Sequence, residues 1–107
     1  MDMNGPWGWS NLDAQTLLAI RQFLANLETM EWNALLHQNR AHTIAREKLS
    51  ADARRRLEEL RQDDIDDLIS LRKTGRERIW GIKDRDVLKL LWWDPEHTVY
   101  PIELQNS

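Results

Sequence analysis

The sequence predicts an α+β fold, with N-terminal helices packed on a small C-terminal antiparallel β-meander of three to four strands. Two observations carry this reading. Leu17, Ile20, Leu24 and Leu27 recur at helical spacing in the first third of the chain. The last third holds two runs rich in β-formers, 77–83 and 87–93, separated by the polar Asp84-Arg85-Asp86. Helices first and strands afterwards is the order expected of an α+β fold. A length of 107 residues, 41% hydrophobic and 31% charged, fits one domain over 1–107. Within it we expect an extended Trp-containing arm over 1–10, a helical part over 11–70 and the meander over 71–103.

Each element has its own signals. Gly5-Pro6-Trp7-Gly8-Trp9 excludes a helix, and its two Trp are expected to pin the arm to the core. Ser10, Asn11 or Asp13 can cap a helix over 13–28. A second short helix fits 31–37, and 38–48 reads as a connection. Ser50 is a good N-cap for a helix over 51–61 with Ala53, Leu57 and Leu60 inward. Asp63 can cap another over 64–69, whose acidic first turn suits the helix dipole. The stretch 68–73 can alternatively leave that helix as a fourth strand. After the break at Gly75, the runs 77–83 and 87–93 form a hairpin. Asp94-Pro95-Glu96-His97 reads as a type I turn, with Asp first and Pro second, and Thr98-Val99-Tyr100 as a last strand. Trp80 and one of Trp92 and Trp93 are expected in the core against Leu17, Leu24 and Leu57.

Composition narrows the function classes. There is no cysteine, which removes disulfides, thiolate metal sites and cysteine nucleophiles and suits a reducing compartment. Residues 1–6 lack a basic and an apolar region of a signal peptide, and no apolar run approaches the ~20 residues that cross a bilayer. A cytoplasmic protein with no membrane contact is therefore expected. Basic blocks at 40–56 and 72–93 flank an acidic block at 57–71. Internal pairing explains this pattern, or part of the basic surface meets an anionic partner. A pI near 5.6 argues against strong non-specific nucleic-acid binding.

Few residues carry obvious chemistry. His37, His42 and His97 lack the spacing of a zinc site. The Asp63–Asp67 run reads as a solvated helix start rather than a magnesium site, so no metal or cofactor is expected. Six Trp in this length are either core or an aromatic platform, and Trp92 and Trp93 must point to opposite faces of a strand. The strongest constellation is Arg72, Arg78, His97 and Tyr100 as catalytic candidates, with Arg76, Trp92, Trp93 and His42 as binding candidates. Strands lie about 5 Å apart, so Arg72, Arg76, Arg78, His97 and Tyr100 can converge on one face. Guanidinium groups clamp phosphate, His moves a proton near neutral pH and Tyr supplies a hydroxyl. Such a set can cleave RNA without a metal, using the 2′-hydroxyl as internal nucleophile.

The segments Gly5-Pro6-Trp7-Gly8-Trp9, Asp63-Asp64-Ile65-Asp66, Arg78-Ile79-Trp80-Gly81-Ile82 and Leu91-Trp92-Trp93-Asp94-Pro95-Glu96-His97 resemble a family of small bacterial proteins with no established activity. In layout, Ser70-Leu71-Arg72, Arg78-Ile79-Trp80 and the 90–97 segment are also similar to RelE/ParE-type toxins. That resemblance implies a toxin-like protein acting on RNA or on a cellular target, with a cognate antitoxin or target protein as partner. The alternative is a non-catalytic protein-binding module, such as an inhibitor, antitoxin-like or anti-defence protein, working through the Trp-rich sheet and the Asp63–Asp67 patch.

Overall fold

Leu68-Ile69-Ser70-Leu71, Ile79-Trp80-Gly81-Ile82 and Leu90-Leu91-Trp92-Trp93 are nearly unbroken apolar runs. An antiparallel sheet with one wet face alternates polar and apolar residues; runs like these belong to strands buried on both faces. The computed structural model, which describes residues 1–28, 30–62 and 64–101, has that architecture. Helices α1 (Ala14–Glu28) and α2 (Trp32–His37) precede strand β1 (Ala41–Ala45). Helix α3 (Ala51–Glu59) follows, then β2 (Asp67–Arg72), β3 (Arg78–Asp84) and β4 (Val87–Asp94). The strands form one antiparallel sheet in the order β1-β2-β3-β4, so the α+β class holds.

The two apolar clusters lie on opposite sheet faces. Ala53 and Leu57 of α3 pack with Leu68, Trp80, Trp92, Trp7 and Val99. Ile20 and Leu27 of α1 and Leu35 of α2 pack with Ile69, Leu71, Ile79, Trp93 and Trp9. Trp80 therefore meets Leu57 as expected but belongs to the cluster opposite Leu24, and Leu17 is 43% exposed. The buried stripe of α1 passes through Ile20 and Leu27, flanked by the half-buried Phe23 and Leu24.

Local chemistry sets the helix ends. Asp13 caps α1, its Oδ1 accepting from the Thr16 N–H at 2.7 Å. Ser50 caps α3 by accepting from the Ala53 N–H at 3.2 Å. At the end of α2, Asn39 takes φ 59°. Arg40 N–H then bonds Leu35 C=O and Asn39 N–H bonds Leu36 C=O, the paired closure of a left-handed C-cap. Arg61, at φ 58°, closes α3 in the same way.

Three expectations need correction. The segment read as a connection, and counted in the helical part, contains β1; its strand conformation is imposed by pairing with β2, with His42 opposite Ser70. The helix expected over 64–69 is absent among the described residues, and Leu68 and Ile69 lie in β2. Four residues of β2, Leu68 to Leu71, are buried in the sheet, which outweighs the helix-favouring acids before them. The cap assigned to Asp63 lies outside the described residues. Finally, 98–100 forms no strand, because Val99 is engaged elsewhere: its N–H donates to Asp94 Oδ2 at 3.0 Å and its C=O accepts from Ser50 N–H at 2.8 Å.

A bulge shapes β4. Trp80 pairs with Trp92 but Gly81 pairs with Leu90, which leaves Leu91 as an extra residue. Leu88 and Leu90 belong to the α1/α2 side, whereas Leu91 and Trp92 both belong to the α3 side, and Trp93 returns to the first. Gly81 fits here because a Cβ would lie 2.8 Å from Lys89 O and from Leu88 Cδ1. The bulge also frees the Leu91 carbonyl, which accepts from Asp2 N–H at 3.1 Å and from Trp9 Nε1 at 3.0 Å. Trp93 N–H donates to Trp7 C=O at 3.1 Å, so the N-terminal arm runs along the β4 edge.

Asp2 fastens that arm. Its carboxylate accepts from Arg56 Nε and Nη2, both at 2.8 Å, from Trp92 Nε1 at 2.9 Å and from Gly5 N–H at 3.1 Å. Gly5 leaves room for the guanidinium: a Cβ there would lie 2.5 Å from Arg56 Nε. Asp2 is only 4% exposed. The Arg56 hydrogen bonds hold its carboxyl down to about 2, against the opposing effect of burial. Its native pKa lies below the ordinary 3.8, so the stability it confers is complete above pH ~4 and is lost as pH falls through about 2. This linkage is worth about 2 kcal/mol. Urea denaturation of wild type and Asp2→Asn is expected to show a stability difference larger by that amount at pH 5 than at pH 2. An equal difference at both pH values contradicts this role.

Candidate functional site

Register gathers much of the predicted constellation at one end of the sheet. Arg72 closes β2 opposite Arg78 at the start of β3, and Arg78 lies opposite Asp94 at the end of β4. The loop 73–77 and the turn after Asp94 therefore sit side by side, and Arg76 of the first pairs with Glu96 of the second at 3.1 Å.

The chemistry there is divided between buried and open groups. Arg78 is 2% exposed, and its Nη1 donates to the carbonyls of Thr74 (2.9 Å), Gly75 (3.3 Å) and Glu77 (3.1 Å). That guanidinium holds the β2–β3 loop together. His97 is 1% exposed and takes φ 60° in a turn tied down by Asp94. Asp94 Oδ1 accepts from Thr98 N–H at 2.9 Å, and its Oδ2 accepts from Val99 N–H at 3.0 Å and Trp80 Nε1 at 3.2 Å. Tyr100 is half-buried against the α3-side core. As placed, both ring nitrogens of His97 and the Nε of Arg78 are buried, and Arg78 Nη1 is taken up by the loop carbonyls, which keeps these groups from a phosphate in solution.

The binding candidates divide in the same way. Trp92 is fully buried under Trp7, with ring centroids 4.9 Å apart, and Trp93 is 7% exposed on the other face. Neither offers a platform, because the arm and α3 cover one face and the α1/α2 layer covers the other. Four indole N–H groups are spent internally: Trp7 on Thr98 Oγ1, Trp9 on Leu91 O, Trp80 on Asp94 and Trp92 on Asp2. His42 is half-buried on β1. Arg76 is exposed but engaged with Glu96.

Two residues that sequence reasoning does not single out complete the open part. Phe23 of α1 and Arg40 line an open pocket of about 440 Å³ together with Arg72, Lys73, Thr74 and Gly75. Arg40 is brought there by the C-cap of α2, and its C=O accepts from Arg72 N–H at 2.9 Å. Lys73 pairs with Glu77 at 3.5 Å. Among the described residues, neither Arg40 nor Arg72 has a carboxylate within ion-pair distance. The block of basic residues starting at 40 is visible in the sequence, but its meeting with Arg72 depends on β1, which is not. Two guanidinium forks beside an aromatic wall suit a carboxylate or a phosphate. Among the described residues no three His, Asp or Glu side chains come together to hold a metal ion. No helix of the described residues is long and apolar enough to cross a membrane.

Comparison with protein-family models, curated proteins and solved structures finds no match to this chain.

The division between buried and open arginines has a measurable consequence. Arg78→Ala removes a charged donor from three loop carbonyls and is expected to cost about 2–3 kcal/mol. Arg72→Ala is expected to stay within about 0.5 kcal/mol of wild type, as surface substitutions do. Chemical denaturation of both variants checks this; equal losses contradict the assignment.

Proposed function

We propose that this chain is a non-catalytic binding module whose working surface is the cationic end of the sheet and whose partner is an acidic protein. The observation that supports this reading is the division between buried and open groups. The groups that acid–base chemistry needs, His97 and Arg78, are inside the fold, while Arg40 and Arg72 are open beside Phe23. A site that binds without reacting needs only the open set.

Charge placement favours a protein over RNA. Asp64, Asp66 and Asp67 are exposed at the opposite end of the same sheet. The six residues of β2 separate Asp67 from Arg72 by about 17 Å. A long polyanion laid across this surface meets those carboxylates, whereas a short acidic segment contacts the arginines alone. The net charge of -3 points the same way, since nucleic-acid affinity follows uncompensated Lys and Arg.

The test has two arms. Purified protein incubated with total RNA in EDTA is expected to leave the RNA intact. A blocked oligo-glutamate peptide is expected to shift the amide signals of 40 and 72–75. Arg40→Glu with Arg72→Glu is expected to weaken that binding by about tenfold or more, equivalent to about 1.4 kcal/mol. RNA cleavage that is lost in His97→Ala contradicts the proposal and restores a toxin-like ribonuclease.

A further inference from the structure

The two edges of the sheet are treated differently. The β4 edge is covered by the N-terminal arm through Asp2 N–H to Leu91 C=O and Trp93 N–H to Trp7 C=O. Among the described residues, the β1 edge has no such cover in its middle. Arg72 N–H donates to Arg40 C=O and Arg46 N–H donates to Asp66 C=O. With the β1–β2 register, these bonds make 40, 42, 44 and 46 the residues whose backbone groups point toward β2. The N–H and C=O of Thr43 and the N–H of Ala45 therefore point outward, and among the described residues they have no hydrogen-bond partner. Thr43 is exposed.

This edge also lacks the devices that keep edges from pairing. The strand Ala41-His42-Thr43-Ile44-Ala45 contains no proline, lysine or carboxylate, and it carries no bulge. Among the described residues, one edge is sealed by the arm and the other is left open.

We propose that β1 takes an extended polypeptide segment as a fifth strand, its acidic end seated in the Arg40/Arg72/Lys73 pocket. This rests on the binding-module reading and adds the geometry of engagement. Arg40, the residue before Ala41, forms part of the pocket's wall, so the pocket adjoins the Ala41 end of β1 and an added strand ends beside it. Backbone bonds to Thr43 and Ala45 supply pairing, and the arginines select a carboxylate-bearing end. At its other end β1 runs into Arg46, which pairs with Glu58 at 3.9 Å, and into the exposed Asp66 and Asp67, so the charges there are mixed. The Arg40/Arg72/Lys73 pocket is thus the end of the edge that selects a carboxylate. A second copy of this chain fits poorly: two-fold pairing centred on Thr43 places Arg40 opposite the copy's Arg46, and like charges directly opposite are unfavourable.

The test uses the intact chain and a blocked peptide of alternating Val and Thr ending in two Glu. Binding is expected to shift and protect the Thr43 and Ala45 amides together with those of 40 and 72–75. Thr43→Pro removes an outward N–H without touching the β1–β2 ladder and is expected to weaken this peptide at least tenfold while oligo-glutamate still binds. A peptide N-methylated on alternate residues tests the same point with unaltered protein and is also expected to bind at least tenfold more weakly. If both acidic peptides bind but the Thr43 and Ala45 amides stay unmoved, strand addition is wrong and the binding-module reading stands. If neither peptide binds, both fail. A dimer in sedimentation that dissociates in Thr43→Pro would overturn the proposal in favour of self-pairing.

Discussion

The carboxylate of Asp2 joins three parts of the chain that are far apart in sequence. It takes two hydrogen bonds from Arg56 on α3 and one from the Trp92 indole on β4, and it fixes the turn at Gly5 in its own arm. Burying a carboxylate is costly unless it is paired and bonded, and here the guanidinium fork and the indole meet that condition. The placement of the whole arm depends on this clamp. With Asp2 held, Trp7 and Trp9 cover opposite faces of the sheet and the Leu91 carbonyl finds its donors. Asp94 does the equivalent at the last residue of β4, where it binds Trp80 and closes the turn that carries His97. Two buried aspartates thus anchor the indoles of Trp80 and Trp92 in the α3-side core.

How far the sequence foretells this varies by element. The helix over 51–59 is plain because Ser50, Ala53 and Leu57 agree on cap, period and face. The β3–β4 hairpin is equally plain, since both strands are dense in β-formers and the turn between them is polar. β1 is hidden because its short run of mostly small or polar residues has little intrinsic preference, and only pairing with β2 makes it a strand. β2 is ambiguous because a short apolar run behind a block of acids satisfies a helix start as well as a buried strand. The bulge at Leu91 cannot be read at all: strict alternation separates Leu91 from Trp92, and the extra residue places both on one side.

The candidate site is legible in part for a related reason. Strand order alone assigns Arg72, Arg76, Arg78 and His97 to one neighbourhood, and the register does collect the three arginines and the turn bearing His97 at one end. Residue type gives no sign of which of them face inward. Arg78 and His97 are structural because the loop carbonyls and the Asp94 turn surround them, whereas Arg40 and Phe23 become site residues through tertiary placement. The residues that the sequence groups together thus divide in space into a buried set and an open set.

The Asp2-clamped arm seals the β4 edge, and among the described residues the middle of β1 stays open. Native-state hydrogen exchange on the unmodified protein addresses it most directly, because amide protection reports local opening residue by residue. The account predicts that the Trp93 amide, bonded to Trp7 C=O, exchanges only in openings near the global stability, while the Thr43 amide exchanges close to the unprotected rate. A Thr43 amide as protected as that of Trp93, or a Trp93 amide that exchanges freely, would contradict it.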